Sequence, residues 1–242
     1  MPYNRLFRAL PAVAALLAGF ACARPSTSAG VPWSAATAAA AATTTGSWID
    51  LSSPSEWRGY RRTDLPAGWS FDANRVLTHT RNGGDIVTTR QFASFELEVE
   101  WKVTPKGNSG IFYWATESTD RIYENAQEMQ VLDNSGHADG RSALTSAGAN
   151  YALYAPPSDV TRPVGEWNAA RLVIRGEHAE HWLNGVKVVD YVVGSPDWVA
   201  RERASKFRDW PSFGLARRGH IGLQDHGDLV AFRNMRIREI AP

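Results

Sequence analysis

The 242-residue chain carries 26 Lys and Arg against 25 Asp and Glu, a formal net charge of +1. That balance excludes the basic footprint a nucleic-acid binder needs, so nucleic acid is not an expected partner. Ten Trp and a 43% hydrophobic share are enough for a sizeable core with aromatics to spare, and the length fits one domain plus extensions.

Residues 1–22 read as an export signal. Arg5 and Arg8 form a basic start, "ALPAVAALLAGFACA" supplies the apolar run, and small residues follow. The run is too short for a membrane span. Cys22 is the one cysteine in the chain and has nothing to pair with. "GFAC" resembles a bacterial lipoprotein box, with Gly19 where that pattern prefers Leu, so Cys22 is expected to carry a lipid and to be the chain's link to a membrane. A plainly secreted protein is the other reading. Residues 23–47, "ARPSTSAGVPWSAATAAAAATTTGS", have too few large apolar side chains to offset ordering entropy and read as a flexible tether. The folded domain is expected over residues 48–242.

Within that domain the period is mostly two. "FASFELEVEWKV" puts Phe95, Leu97, Val99, Trp101 and Val103 on one strand face and Glu96, Glu98, Glu100 and Lys102 on the other, which is expected to be solvated. "GIFYWA", residues 110–115, is apolar on both faces, as a central strand would be. "QEMQVLDNSGHADG", residues 127–140, alternates Met129 and Val131 against Glu128 and Gln130 before running into a polar loop. "NAARLVIRGEHAEHWLNGVKVVDY" reads as a three-strand meander with an Asn184-Gly185 hairpin. Ser195-Pro196-Asp197 offers an N-cap, a first-position proline and an acid for one short helix. "HIGLQDHGD", residues 220–228, alternates Ile221 and Leu223 against Gln224 and His226. Many strands, turn residues between them and almost no helix predict two packed antiparallel sheets.

"GNSGIFYWA", "QEMQVLDNSGHADG", "PVGEWNAARLVIRGEHAEHWLNGVKVVDY" and "RGHIGLQDHGDLVAFRNMRIREI" resemble, in order and spacing, the 3-keto-disaccharide hydrolase domain family. The resemblance implies an all-β, concanavalin A-like jelly-roll sandwich with carbohydrate bound on a concave face; the same fold also hosts lectins. Carried over residue by residue, it marks Asn108, Ser109, Glu128, Gln130, Asp133, Asn134, His181, Gln224, Asp225 and His226. Where many members have an arginine after the "GIF" strand, this chain has Tyr113-Trp114, and Trp114 is placed among the substrate contacts. Asp133 and Asn134 have a second reading as turn-shaping residues.

No nucleophile-elbow, zincin, phosphate-loop or dinucleotide motif is present. Glu124 and Glu128 are spaced as a carboxylate pair that could serve a retaining glycosidase. A 3-keto sugar asks for something else: one base for the acidic proton on carbon 2, donors for the oxyanion, and an acid for the leaving group. On strand parity, Glu128 and His226 are candidates for base and acid, His181 joins the cleft, and Asn108, Gln130 and Gln224 contact the sugar. The same His/Glu/Asp set could hold a divalent metal that polarises the keto oxygen. Three functions follow: cleavage of 3-keto-glycosides, a non-catalytic carbohydrate-binding module, or a retaining endo-glycosidase.

Overall fold

The computed structural model describes residues 46–242; the export signal, Cys22 and nearly all of the tether lie outside the described residues. The strands are, in chain order, β1 (Ile49–Asp50), β2 (Trp57–Gly59), β3 (Trp69–Phe71), β4 (Leu77–His79), β5 (Ile86–Thr88), β6 (Phe95–Val103), β7 (Asn108–Ala115) and β8 (Gln127–Leu132). They continue with β9 (Asn168–Arg175), β10 (His178–Leu183), β11 (Val186–Val192), β12 (His220–Leu223) and β13 (Val230–Glu239), with one α-helix, α1 (Pro196–Ala204), before β12. The larger sheet runs β11-β10-β9-β6-β13-β4-β3, with β1 beside β13, and the smaller runs β2-β5-β12-β7-β8. All of these pairings are antiparallel. This is the all-β sandwich with one short helix that the period-two patterning predicts.

Alternation builds the core between the sheets. Phe95, Leu97, Val99, Trp101 and Val103 of β6 pack with Ile111 and Tyr113 of β7 and Met129 and Val131 of β8. Burying one such side chain stabilises the fold by roughly 1.5–3 kcal/mol. The meander is as read: Asn184 and Gly185 take φ of +50° and +85°, the left-handed pair that a two-residue hairpin turn requires. Ser195 Oγ accepts from Trp198 N at 3.2 Å and so caps α1.

Two expectations change. The glutamates of β6 are not a solvated face. Glu96 and Glu98 are buried, and register sets Arg238 and Arg236 of β13 directly opposite them. Arg171 and Arg238 donate to Glu96, Arg236 to Glu98 and Arg233 to Glu100, so neighbouring strands supply the countercharges that the β6 sequence does not show. The second change concerns "HIGLQDHGD": β12 ends at Leu223, and Gln224 and His226 belong to a loop. Asp225 holds that loop. Its Oδ2 accepts from Gly83 N (2.8 Å) and Gly84 N (2.7 Å), its Oδ1 accepts from Gly227 N (2.8 Å), and its own N–H donates to Asp85 Oδ1 at 2.9 Å.

Beyond β8 the sheet edge is covered. Gly148 N donates to Gln130 O (2.9 Å), Gln130 N to Ala149 O (3.1 Å) and Tyr151 N to Glu128 O (3.1 Å). An otherwise open edge is thereby paired, and Tyr151 is carried to the side of Glu128.

Candidate active site

The outer face of the smaller sheet carries the polar side chains. On β8, Met129 and Val131 enter the core, so period two turns Glu128 and Gln130 to the opposite face. Across on β7, Gly110 pairs with Gln130, and a Cβ built on it would lie 2.2 Å from Glu128 Oε1. Glu128 rests in the space that the missing side chain leaves. The loop after β12 adds Gln224, whose N–H donates to Gly110 O at 3.0 Å while its own carbonyl accepts from Ser109 Oγ at 2.8 Å.

Together these elements line a pocket of about 170 Å³ in which five of the expected residues meet: Asn108, Glu128, Gln130, Gln224 and His226. Four more that the sequence reading missed complete its wall: Tyr123, Asp139, Tyr151 and Lys206. The volume is below the ~300–1,000 Å³ of sites that enclose a whole drug-sized ligand, which fits one ring held inside and the remainder outside.

Glu128 is buried, and burial drives its carboxyl up to about 8; Lys206 pulls the other way, while the charges of Asp85 and Asp139 add to the rise. With its amide oriented to face acceptors, Gln130 donates to Glu128 Oε1 (3.2 Å) and to Ser109 O (3.0 Å). Asn108 Oδ1 is buried without a partner, an acceptor left for a ligand hydroxyl. Tyr151 Oη donates to Asp139 Oδ2 at 3.3 Å, and burial first, then the charges of Asp139 and Glu128, push its hydroxyl up to about 12. His226 is exposed at the rim, its Nδ1 3.6 Å from Asp228 Oδ2 and its ring edge-on to His137 at 5.7 Å.

Four expected site residues lie elsewhere. His181 is fully buried between the sheets: Nδ1–H donates to Gly148 O (3.1 Å), Nε2 accepts from Tyr113 Oη (2.9 Å), and burial pushes the ring down to about 4, so it is neutral and spent on packing. Trp114 is also buried; its backbone takes φ of +56° where the β7–β12 register shifts, which turns the indole inward to donate to Ala93 O at 2.8 Å. Asp133 accepts from Lys106 N, Ser135 N, Ser135 Oγ and Gly136 N, and Asn134 Oδ1 accepts from Ala147 N. Both shape the turn after β8. They face a separate pocket with Trp101 and Arg162. Glu124 closes a single 3-10 turn, Ile122–Glu124, and does not line the Glu128 pocket.

For a divalent metal, one group of three possible ligands lies close enough among the described residues: His178, Glu180 and Asp190, on the other sheet. Lys187 already bridges Glu180 and Asp190 there.

With this geometry in view, the sequence profile of the 3-keto-alpha-glucoside-1,2-lyase-like domain matches residues 46–238. The chain belongs to this family. A 3-keto-disaccharide hydrolase from Bacteroides thetaiotaomicron is 35% identical, over 75% of this chain and 73% of that protein. Two solved structures of candidate glycosyl hydrolases from Parabacteroides distasonis each share 28% identity. One has a TM-score of 0.74 over 79% of this chain and 93% of its own; the other has 0.64 over 76% and 98%. The 3-keto-alpha-glucoside-1,2-lyase-like family thus accounts for the whole sandwich, and the pocket on its smaller sheet is the candidate active site.

Proposed function

We propose that this protein cleaves 3-keto-glycosides, with Glu128 removing the proton on carbon 2. The observation that carries the reading is a single buried carboxyl, seated over Gly110 in a ring-sized pocket and surrounded by amides rather than by a paired nucleophile. A ketone at carbon 3 makes the carbon 2 proton acidic enough for one such base. Glu128 as carboxylate takes that proton, and the electron pair moves into a carbon 2–carbon 3 double bond with negative charge on the carbon 3 oxygen. The enolate then collapses: the ketone reforms, carbon 1 and carbon 2 become doubly bonded, and the glycosidic oxygen leaves carbon 1. His226, at the solvent-facing rim, supplies a proton to that oxygen as it departs. Water adds its oxygen to carbon 1 and gives its proton to His226, the proton on Glu128 returns to carbon 2, and the net change is hydrolysis. Asn108, Gln130 and Gln224 hold sugar hydroxyls.

Asp139 is the feature that favours a two-carboxylate glycosidase, since it lines the same pocket as Glu128, although Tyr151 holds it. The deciding experiment incubates the domain, with and without chelator, with one disaccharide in its oxidised 3-keto form and its unoxidised form. Release from the oxidised form alone supports the proposal. Release from the unoxidised form moves the assignment to the glycosidase, and binding without release moves it to a carbohydrate-binding module. Chelator sensitivity in the first arm adds a metal to the scheme. Export and anchoring through Cys22 belong to the same proposal: a lipidated domain on a tether would meet oligosaccharides outside the cytoplasm.

A further inference from the structure

The oxyanion that develops at carbon 3 is stabilised most strongly by a positively charged donor. Lys206 is such a group. It opens the 3-10 turn Lys206–Asp209 that follows α1, where Ser205 Oγ accepts from Phe207 N at 3.1 Å and fixes the chain direction. Its ammonium lies 4.4 Å from the centroid of the Tyr151 ring and 5.4 Å from that of Trp210. No carboxylate among the described residues forms an ion pair with it, although Glu128 and Asp139 line the same pocket. Aromatic faces hold the cation by electrostatic attraction and leave its N–H donors free for a ligand.

Its place relative to the other groups matters as much as its charge. Gln224 and His226 follow β12, Glu128 stands on β8, and Tyr151 belongs to the segment that covers the outer edge of β8. Glu128 therefore lies between the His226 side of the pocket and the Tyr151–Lys206 side. In a 3-keto-glycoside, carbon 2 likewise lies between carbon 1, which loses its oxygen, and carbon 3, which carries the ketone. Resting on the 3-keto reading above, we propose that Lys206 is a further catalytic residue: it donates to the carbon 3 oxygen and holds the negative charge that arrives there when Glu128 takes the carbon 2 proton. No bond to Lys206 forms or breaks; its proton stays on nitrogen throughout.

The test separates proton removal from leaving-group departure. A 1,5-anhydro-3-keto-hexitol has no leaving group at carbon 1, so in D₂O it can exchange its carbon 2 proton but cannot be cleaved, and NMR reads the exchange directly. Lys206→Met is expected to slow both this exchange and kcat for a 3-keto-disaccharide by about 100-fold, the size of a lost oxyanion donor, with KM changed less than about threefold. Lys206→Arg is expected to restore much of the rate. It should also abolish the fall in rate at alkaline pH, because burial lowers the Lys206 ammonium below its ordinary range whereas a guanidinium stays charged. Exchange by Lys206→Met as fast as wild type, or a rise in KM alone, overturns the inference while the 3-keto reading stands. A wild-type protein that neither exchanges nor cleaves keto substrates overturns both.

Discussion

Glu128 of β8 reaches diagonally over Gly110 of β7, so closely that a methyl group on the glycine would lie 2.2 Å from the glutamate's Oε1. Glycine here is a matter of space, since its φ is not in the left-handed region. Gly110→Ala is expected to push the Glu128 carboxylate out of position and lower kcat by at least about 10-fold, since a displacement of the order of 1 Å can cost 100-fold. The outer face of the sheet has room to give, so the melting temperature should fall by only a few degrees. A fully active Gly110→Ala protein would show that the carboxylate position is not critical.

Glu128 also makes stability and activity respond to pH in opposite directions. Its folded carboxyl, pushed up to about 8 from an ordinary 4.5, prefers the neutral form. The fold therefore loses stability as pH rises from about 4.5 to about 8, because the buried group must ionise, and stays at the lower level above that. Glu128→Gln has nothing to ionise. It should melt higher than wild type at pH 9, by an amount corresponding to at least about 1 kcal/mol, and show a much smaller difference at pH 4.5. Conversely kcat/KM of the wild type should climb as pH rises toward about 8 and fall again at more alkaline pH as Lys206 loses its proton, and Glu128→Gln should lose about 100-fold or more. Calorimetry at the two pH values and a pH–rate profile check both.

His181→Ala should behave as a core mutation. It strands the Gly148 carbonyl in a dry interior and leaves the Tyr113 hydroxyl with Tyr191 Oη alone, at a cost of about 2–4 kcal/mol. At temperatures where the variant is folded, kcat should stay within about threefold of wild type. A catalytic loss of 100-fold with unchanged melting would place His181 in the chemistry after all.

Glu96 accepts from both Arg171 and Arg238 while itself buried. Glu96→Gln leaves two partly exposed guanidiniums short of countercharge and is expected to cost about 1–2 kcal/mol without altering turnover, because this face lies on the other sheet from the pocket. Urea titration and a standard assay measure the two effects.

Cys22→Ala is expected to move the protein from the membrane fraction to the soluble exported fraction. Fractionation in which the variant still pellets with membranes would refute lipid attachment at this residue.

The sandwich was legible because its strands repeat every two residues around one dry layer, and the same rule pointed Glu128 and Gln130 outward by pointing Met129 and Val131 in. Tyr123, Asp139, Tyr151 and Lys206 were not legible in that way: they come from 3-10 turns, a covering segment and the chain after α1, where no period links a residue to a face. Asp139 stood inside "QEMQVLDNSGHADG" and Lys206 inside "WVARERASKF", so a signal existed in their nearness to readable elements. Trp114 and His181 were misplaced for different reasons. β7 is buried on both sides and gives Trp114 no exposed face to prefer, whereas β10 alternates and sets His181 on the inner face with Ala179 and Leu183, where its partner Tyr113 Oη is visible only once the strands are paired. The β6 glutamates likewise depended on arginines more than 70 residues away in the chain.

The pairing of β8 with β7 has a consequence for quality control. A slip of one residue would sink Glu128 and Gln130 into the oily layer and lift Met129 and Val131 onto the surface that meets the ligand. A mispaired copy would therefore be unstable and inert for one and the same reason. Selection for a soluble, long-lived protein at this strand also selects for a correctly assembled pocket, with no separate check on the chemistry required.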